Sequence, residues 1–509
     1  MQNETVEEIM NVLYRNGDIL TMEHGAYPEA VLTLDGRIAF VGSEEEARRL
    51  APENVVDCDL AGKTLMPAFV DSHSHISAVA NGTLQLNLET CQSADEVKKT
   101  LSAYIEKNRI GPDEWILAFG YSGTLLKTDL DEVCKNPVFV SGKSKHFGIF
   151  SSCALHLLGI DSKDGYLEET ALYEAEKQIP MPGYEKLKEA YRKAENEYFS
   201  YGICTIQDAC VPQELFSFYN EAVKENLFCA DIVVYADARD LNKAKEELAQ
   251  IWQQYKNHVK MCGAKLFLDG SPQTKTAWMK EPYVGGGTGF RAMDDEALRA
   301  HLETCSRDNL QVIAHANGDM AAKQFIDALL ELKRMPPRPV VIHAQTISDT
   351  EIERIAGKDI LLSFFVAHTY YFGDIHMKNL GAKRAGRISP CGTAERCGVR
   401  FTLHQDAPVI RPDMFETIYC AAARKTKDGA ALSEKERISV YDALLAVTKN
   451  AAYQCFEEND KGSIREGKKA DLIIVSQNPL KIQRECVKDI LVLETIKDGK
   501  TVFKLDQKI

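Results

Sequence analysis

His73 and His75 flank Ser74 directly behind the apolar run 65–70. In an extended chain, side chains two apart point to the same face, so both imidazoles can converge on one ion. Two more histidines close apolar runs, in Ala314-His315-Ala316 and Ile342-His343-Ala344, and an aspartate follows another in Gln405-Asp406-Ala407. Neutral imidazole nitrogens and one carboxylate make a donor set for zinc, and equally for Mn, Fe(II) or Co. Any one of these histidines alone would suit a buried side chain bonded to a neighbouring loop. Together, at matching ends of strand-like runs, they point to a shared site. Lys265 lies inside the apolar segment Ala264 to Leu268, where a buried ammonium without a partner is costly. An ion pair with Asp269 would neutralise it. His146 and His368, the latter just past the run 360–366, are loop histidines able to reach a pocket and bind a substrate carbonyl. His24, His156, His258, His301 and His376 show no such placement and read as surface or helix residues.

The elements that must position these groups follow from apolar patterning. Strand-like runs at 65–73, 202–207, 229–236, 263–268, 311–315, 339–343, 360–366 and 399–404 alternate with helical patterns, the signature of a parallel sheet covered by helices. Eight such units suit a closed (β/α)8 TIM barrel, which leaves no exposed edge and builds its active site at the C-terminal strand ends. The excess length falls after the first strand, at 77–197, where 115–120 and 137–141 read as further strands of a lid-like α/β insertion. Short strands at 18–22, 30–34 and 37–41, with Asp35-Gly36 as hairpin turn, predict a small antiparallel sheet at the N-terminal end. Strands at 470–475, 490–494 and 500–504, with Asp498-Gly499 as turn, predict a second at the other end. Neither makes a domain alone, so the two are expected to pack as one β-sandwich, 1–64 with 458–509, around a barrel spanning 65–457.

Composition narrows the class. The 509 residues carry 61 Lys+Arg against 75 Asp+Glu, a net charge of −14 that repels phosphate backbones and anionic lipid. No nucleic-acid partner is expected. No apolar run approaches the length of a membrane span, and the acidic start lacks the features of a secretory signal, so a cytoplasmic protein is expected. The 14 cysteines contain no C-x-x-C, which predicts reduced, buried thiols. The segment 462–469 nearly spells a phosphate-binding loop, but Lys469 stands where Ser or Thr should touch magnesium and a strand follows. The Gly285 to Gly289 run lacks dinucleotide-fingerprint spacing and reads as a mobile loop beside the site.

The segment Leu65-Met66-Pro67-Ala68-Phe69-Val70-Asp71-Ser72-His73-Ser74-His75 resembles the metal-binding opening strand of the amidohydrolase superfamily. Gly202 to Ala209, Lys265 to Gly270, His315-Ala316-Asn317-Gly318-Asp319, Ile342-His343-Ala344-Gln345, Asp406-Ala407-Pro408-Val409 and Gly462 to Leu472 resemble its YtcJ-like, or amidohydrolase-3, branch, in order and over nearly the whole chain. The resemblance implies that His73, His75, His315, His343 and Asp406 hold one or two divalent ions. It also implies that Lys265 occupies the position that in many relatives is N-carboxylated and bridges two metals. Relatives commonly carry Gly-Ser before the last barrel aspartate, where this chain has His404-Gln405. They often show Leu-Gly-Ser-Arg where it has Pro272-Gln273-Thr274-Lys275. Both departures are expected near the substrate.

The resulting expectation is a metal-dependent hydrolase, with zinc as the first candidate ion, that opens a C–N bond in a small amide, N-substituted formamide or cyclic amide. Asp406 serves as base and then acid, His146 and His368 contact substrate, and a homodimer is an allowed assembly. The same site would serve a deaminase or a lactone or ester hydrolase, and a metal-binding barrel without turnover would serve as a regulatory protein.

Overall fold

The structure, a computed structural model, describes residues 10–143 and 146–506, in two compact units: 1–77 with 194–509, and 78–193. The first unit is organised by eight strands: β1 (Phe69–Val70), β2 (Ile203–Val211), β3 (Asp231–Asp237), β4 (Val259–Phe267), β5 (Gln311–Ala316), β6 (Val340–His343), β7 (Leu361–Phe364) and β8 (Phe401–Leu403). Each pairs in parallel with the next, in chain order. Parallel pairing needs crossover connections, supplied here by helices such as Phe216–Lys224, Asp319–Glu331 and Asp349–Ile355. The sheet curls until its ends meet. Ser72 Oγ donates to Leu403 O at 3.1 Å and His75 N–H to Ala407 O at 2.9 Å. Strands of a curled sheet covered by helices are buried on both faces, which explains why β3, β6, β7 and β8 are buried along their whole length.

One expected strand divides. The run 65–73 is two elements, because Thr64–Pro67 joins a different sheet from β1. Ala68 N–H donates to Asp471 O and Phe69 N–H to Gly202 O, so the bonding partner changes between consecutive residues. His73 and His75 therefore lie beyond any strand.

The chain ends supply the remaining sheets of this unit. One orders Arg37–Gly42, Ala30–Leu34, Val12–Arg15 and Val56–Asp59; the other orders Asp18–Ile19, Thr64–Pro67, Leu472–Val475, Val492–Lys497 and Lys500–Lys504. They share an apolar cluster in which Val12, Tyr14, Val31 and Ile38 meet Leu65, Leu472, Ile474 and Ile496. Both Asp-Gly turns form. Asp35 and Gly36 have φ of 48° and 75°, Asp498 and Gly499 of 49° and 76°, the doubly positive pattern of a tight hairpin. A Cβ on Gly36 would lie 2.6 Å from Asp498 O, so the two turns are in close contact. The sheets are not purely antiparallel as expected: Val12–Arg15 pairs in parallel with Val56–Asp59, and Asp18–Ile19 with Thr64–Pro67. The sequence reading lacked Val12–Arg15 and Val56–Asp59. The first is a short run with no turn signal before it, and the second alternates acids along a largely exposed edge.

Buried charges join β3 to the C-terminal strands. Asp231 lies 2.5 Å from Lys461, 3.1 Å from Lys497 and 3.2 Å from Lys469. Lys468 donates to Lys461 O and Ser463 Oγ, so the lysines of the loop-like segment 462–469 are committed to internal partners.

The 78–193 unit has its own sheet, Leu86–Asn87, Ile116–Tyr121 and Val138–Gly142 in parallel, then Phe147–Phe150 and Tyr166–Glu168 antiparallel. Two apolar clusters of its own, one around Val97, Leu101, Ile116 and Val138 and one around Phe139, Phe150 and Leu172, cover that sheet. Among the described residues, no helix is long and apolar enough to cross a membrane.

Ile496 is 1% exposed in the shared terminal cluster. Ile496→Ala is expected to cost about 2–5 kcal/mol of unfolding free energy through lost burial and the cavity left behind, read as a lowered urea midpoint.

Candidate metal centre

Six of the expected side chains converge from five places on the curled sheet. His73 and His75 follow β1, Lys265 is in β4, His315 is in β5, His343 ends β6, and Asp406 follows β8. His73, His343 and Asp406 offer ligand atoms that all lie within 4.8 Å of one another. Asp406 Oδ1 is 3.5 Å from His73 Nε2 and 3.4 Å from His75 Nε2, and Oδ2 is 4.0 Å from His343 Nε2. His315 Nδ1 lies 3.1 Å from His343 Nε2, and Lys265 Nζ 3.1 Å from His73 Nε2.

Local structure explains how these groups are aimed. The His73 N–H donates to the Asp71 carboxylate at 3.2 Å, a side-chain turn that reorients the chain as it leaves β1. His315 Nε2 faces Gly270 O at 3.1 Å, which leaves Nδ1 toward His343. His343, Ala344 and Asp406 have φ of 70°, 47° and 57°. Residues other than glycine enter this left-handed region at a cost, and such positions gather at functional sites. Asp269 does not pair with Lys265, the simplest expectation. Its carboxylate accepts N–H bonds from Trp278 at 3.0 Å, Asn317 at 3.0 Å and Gly318 at 2.7 Å, tying the loop after β4 to the end of β5. Gly318 has no alternative there, since a Cβ would lie 1.9 Å from Trp278 O.

Burial governs the protonation states. It pushes His315 down to about 4, helped by the charge of Lys265, and His404 down to about 3; His73 and His343 fall well below the usual imidazole range for the same reason. These imidazoles are neutral at neutral pH, the form that ligates metals. Burial raises the Asp406 carboxyl, but His343, His75 and His404 outweigh it and hold Asp406 below the ordinary carboxylate range. Burial brings Lys265 down to about 8, against the opposing charges of Asp406 and Cys210. Asp406 Oδ1 and His73 Nδ1 are buried with no hydrogen-bond partner. Buried polar atoms are seldom left so. Acceptor atoms aimed at one another around a carboxylate fit a divalent cation.

The other residues singled out have partners of their own. His368 is buried at the start of the short helix His368–Tyr371, not in a loop, with Nδ1 3.1 Å from His376 Nε2. It packs on Phe365, which in turn packs on His343 and His404. His376, expected on a surface or helix, is on a helix but fully buried against His368. His146 belongs to the 78–193 unit, where it is exposed and 3.3 Å from Glu169. The Gly285 to Gly289 run forms a hydrogen-bonded turn: Gly286 N–H donates to Tyr283 O and Met279 N–H to Thr288 O.

His404 was expected near substrate; it is instead fully buried beneath the cluster, its ring centroid 5.0 Å from that of His73 and its Nε2 3.2 Å from His343 Nδ1. A histidine closing an apolar run two positions before Asp406 is a signal that could have placed it. Asp71, which accepts the His73 backbone N–H, Ser363, which bonds His404, and Asn317, 3.0 Å from His315 Nε2, carry no signal in residue type or spacing.

A carboxylate and neutral imidazoles at the C-terminal ends of an eight-stranded curled parallel sheet define the class of metal-dependent barrel hydrolases. The chain belongs to the Amidohydrolase family, whose match spans residues 58–503. It is 26% identical to the amidohydrolase YtcJ of Bacillus subtilis (strain 168) over 97% of this chain and 100% of the relative. It is 24% identical to the N-substituted formamide deformylase of Arthrobacter pascens over 97% and 98% of the two chains. An uncharacterized metal-dependent hydrolase from Pyrococcus furiosus shares the fold, with a TM-score of 0.82 and 24% identity over 92% of this chain and 100% of that one.

Asp269→Ala would strip three N–H groups of their acceptor. At about 1–3 kcal/mol for each unsatisfied buried donor, a loss of about 3 kcal/mol or more in unfolding free energy is expected, measured by chemical denaturation.

Proposed function

We propose that this chain is a metal-dependent hydrolase that breaks the C–N bond of a small amide, N-substituted formamide or cyclic amide. In this reading His73, His75, His315, His343 and Asp406 hold one or two divalent ions, zinc foremost, and Lys265 joins them once carboxylated. The observation that carries the reading is the convergence of imidazoles on the unpaired Asp406 Oδ1. The kinship with an N-substituted formamide deformylase supports the bond type.

When bound, the ion lowers the pKa of water toward 7 and polarises the scissile carbonyl. Asp406 does the proton work. Its Oδ1 takes a proton from the attacking water as the water oxygen bonds to the carbonyl carbon, then delivers that proton to the departing nitrogen as the C–N bond breaks. His73, His315 and His343 stay neutral because burial keeps them so. His368 contacts the substrate beside Phe365. The two terminal sheets form a β-sandwich domain of 1–64 with 458–509, the barrel spans 65–457, and 77–197 is its insertion.

Lys265 contributes through its amine. Near pKa 8, the neutral fraction that can add CO2 rises from about a tenth at pH 7 to about half at pH 8. The carbamate that results is an anionic oxygen ligand and resolves the cost of burying an ammonium.

Asp406→Asn is expected to lower kcat by about 10²- to 10⁴-fold with the far-ultraviolet spectrum retained, measured as amine and carboxylate release from a panel of N-formyl and N-acyl amines. Full activity in this variant refutes the proton role; ammonia release from an aromatic ring instead would reassign the bond. Elemental analysis after reconstitution should find more metal per chain with bicarbonate supplied than in CO2-free buffer, and, at one fixed dissolved CO2, more metal at pH 9 than at pH 7. Metal content indifferent to both removes Lys265 from the ligand set.

A further inference from the structure

We propose that His404 is a positioning residue that, through Ser363 and Ser72, fixes His343 in the tautomer whose Nε2 lone pair faces the metal cluster. The proposal rests on the metal-site reading above and names a support of that site which the ligand set alone does not contain.

The direction of the hydrogen bonds can be worked out from the barrel seam inward. Ser72 spends its only hydroxyl proton on Leu403 O, at 3.1 Å. Its oxygen then meets Ser363 Oγ, at 3.4 Å, as an acceptor, so the Ser363 proton turns toward Ser72. The Ser363 oxygen is left to accept from its other neighbour, His404 Nδ1, at 2.8 Å. His404 therefore carries its proton on Nδ1 and presents a lone pair at Nε2. That lone pair faces His343 Nδ1 at 3.2 Å and accepts its proton. His343 Nε2 is left bare, 3.1 Å from His315 Nδ1 and 4.0 Å from Asp406 Oδ2.

Running the chain the other way fails at one link. Were Ser363 to donate to His404, either the Ser72 and Ser363 oxygens would face each other with no proton between them, or Ser72 would have to turn its proton from Leu403 O to Ser363 and leave that carbonyl without it. These groups are shielded from bulk solvent, because Ser72, Ser363 and His404 are fully buried and His343 nearly so. A buried lone-pair clash of that kind costs as much as an unmade hydrogen bond, so the order of protons set at the seam reaches the ligand. Outer partners of metal-binding histidines act in this way: they fix the tautomer and ring orientation, and losing them costs metal affinity.

The same residues link site and scaffold. Ser72 immediately precedes His73, and Leu403 ends β8, so the contact that closes the curled sheet also starts the chain of bonds.

The test measures zinc affinity by chelator competition and the visible spectrum of the Co(II) form, on the full-length chain. His404→Phe keeps a ring and removes both nitrogens; it should weaken zinc binding by about 10- to 100-fold and alter the Co(II) bands. His404→Gln, whose amide oxygen can accept from His343 Nδ1, should recover part of that loss. Ser363→Ala removes only the acceptor for His404 Nδ1 and should weaken binding by roughly fivefold, about one buried hydrogen bond; it decides the matter if His404→Phe does not fold. Unchanged affinity and unchanged Co(II) bands in the folded variants overturn the proposal. If the unaltered chain binds neither ion, the metal-site reading falls and the positioning role falls with it, whereas tight binding in the unaltered chain and in the variants alike overturns the positioning role only.

Discussion

Carboxylate oxygens and imidazole lone pairs crowded together inside a protein repel unless a proton or a cation lies between them, and the C-terminal end of the curled sheet crowds them in this way. Asp406 presents an unpaired buried oxygen to His73 and His75, while His315 and His343 face each other at 3.1 Å. Left to relax, these side chains would turn away or take up protons. They are prevented from doing either. Burial keeps His73, His315 and His343 neutral, and backbone at positive φ holds His343 and Asp406 in place. Asp71, Gly270 O and His404 each engage the far side of a ligand residue. A cation turns the repulsion into attraction, which is the economical reason for a protein to maintain such a cluster.

The cost of maintaining it is spread over the scaffold. Asp269 gathers three backbone N–H groups and thereby joins the loop after β4 to β5. At the opposite end of β3, Asp231 collects Lys461, Lys469 and Lys497, so the C-terminal strands are tied to the barrel through buried, compensated charge. Such pairs add little net stability, but removing one partner would strand the others, which enforces a single arrangement. The shared apolar cluster of the terminal sheets supplies the burial that these polar contacts do not.

Lys265 is a buried amine beside the cluster, 3.1 Å from His73 Nε2. As an ammonium it favours the neutral form of the imidazoles beside it, and burial already brings its pKa to about 8. As a carbamate it would add to the negative charge near Asp406 and increase the demand for cations. In the proposed reading, ion binding and carboxylation of this lysine would favour each other, since each lowers the electrostatic cost of the other.

Much of this was legible from residue order. Alternating apolar runs announced the eight parallel strands, two Asp-Gly pairs announced hairpins that form with the required dihedrals, and the ligand candidates stood at the ends of runs whose direction a parallel sheet makes common. Local chemistry sufficed for these because each depends on a few adjacent residues. The split of 65–73 between two sheets did not show, because an extended strand looks the same whichever neighbour it pairs with. The burial of His376 and the place of His404 did not show either, nor did the role of Ser363, because hydrogen-bond partners 41 and 61 residues apart are set by strand register and by which face closes on which. Residue identity specified which atoms can donate or accept; the three-dimensional fold assigned each its partner, because distance and direction between remote strands exist only once the sheet has curled shut.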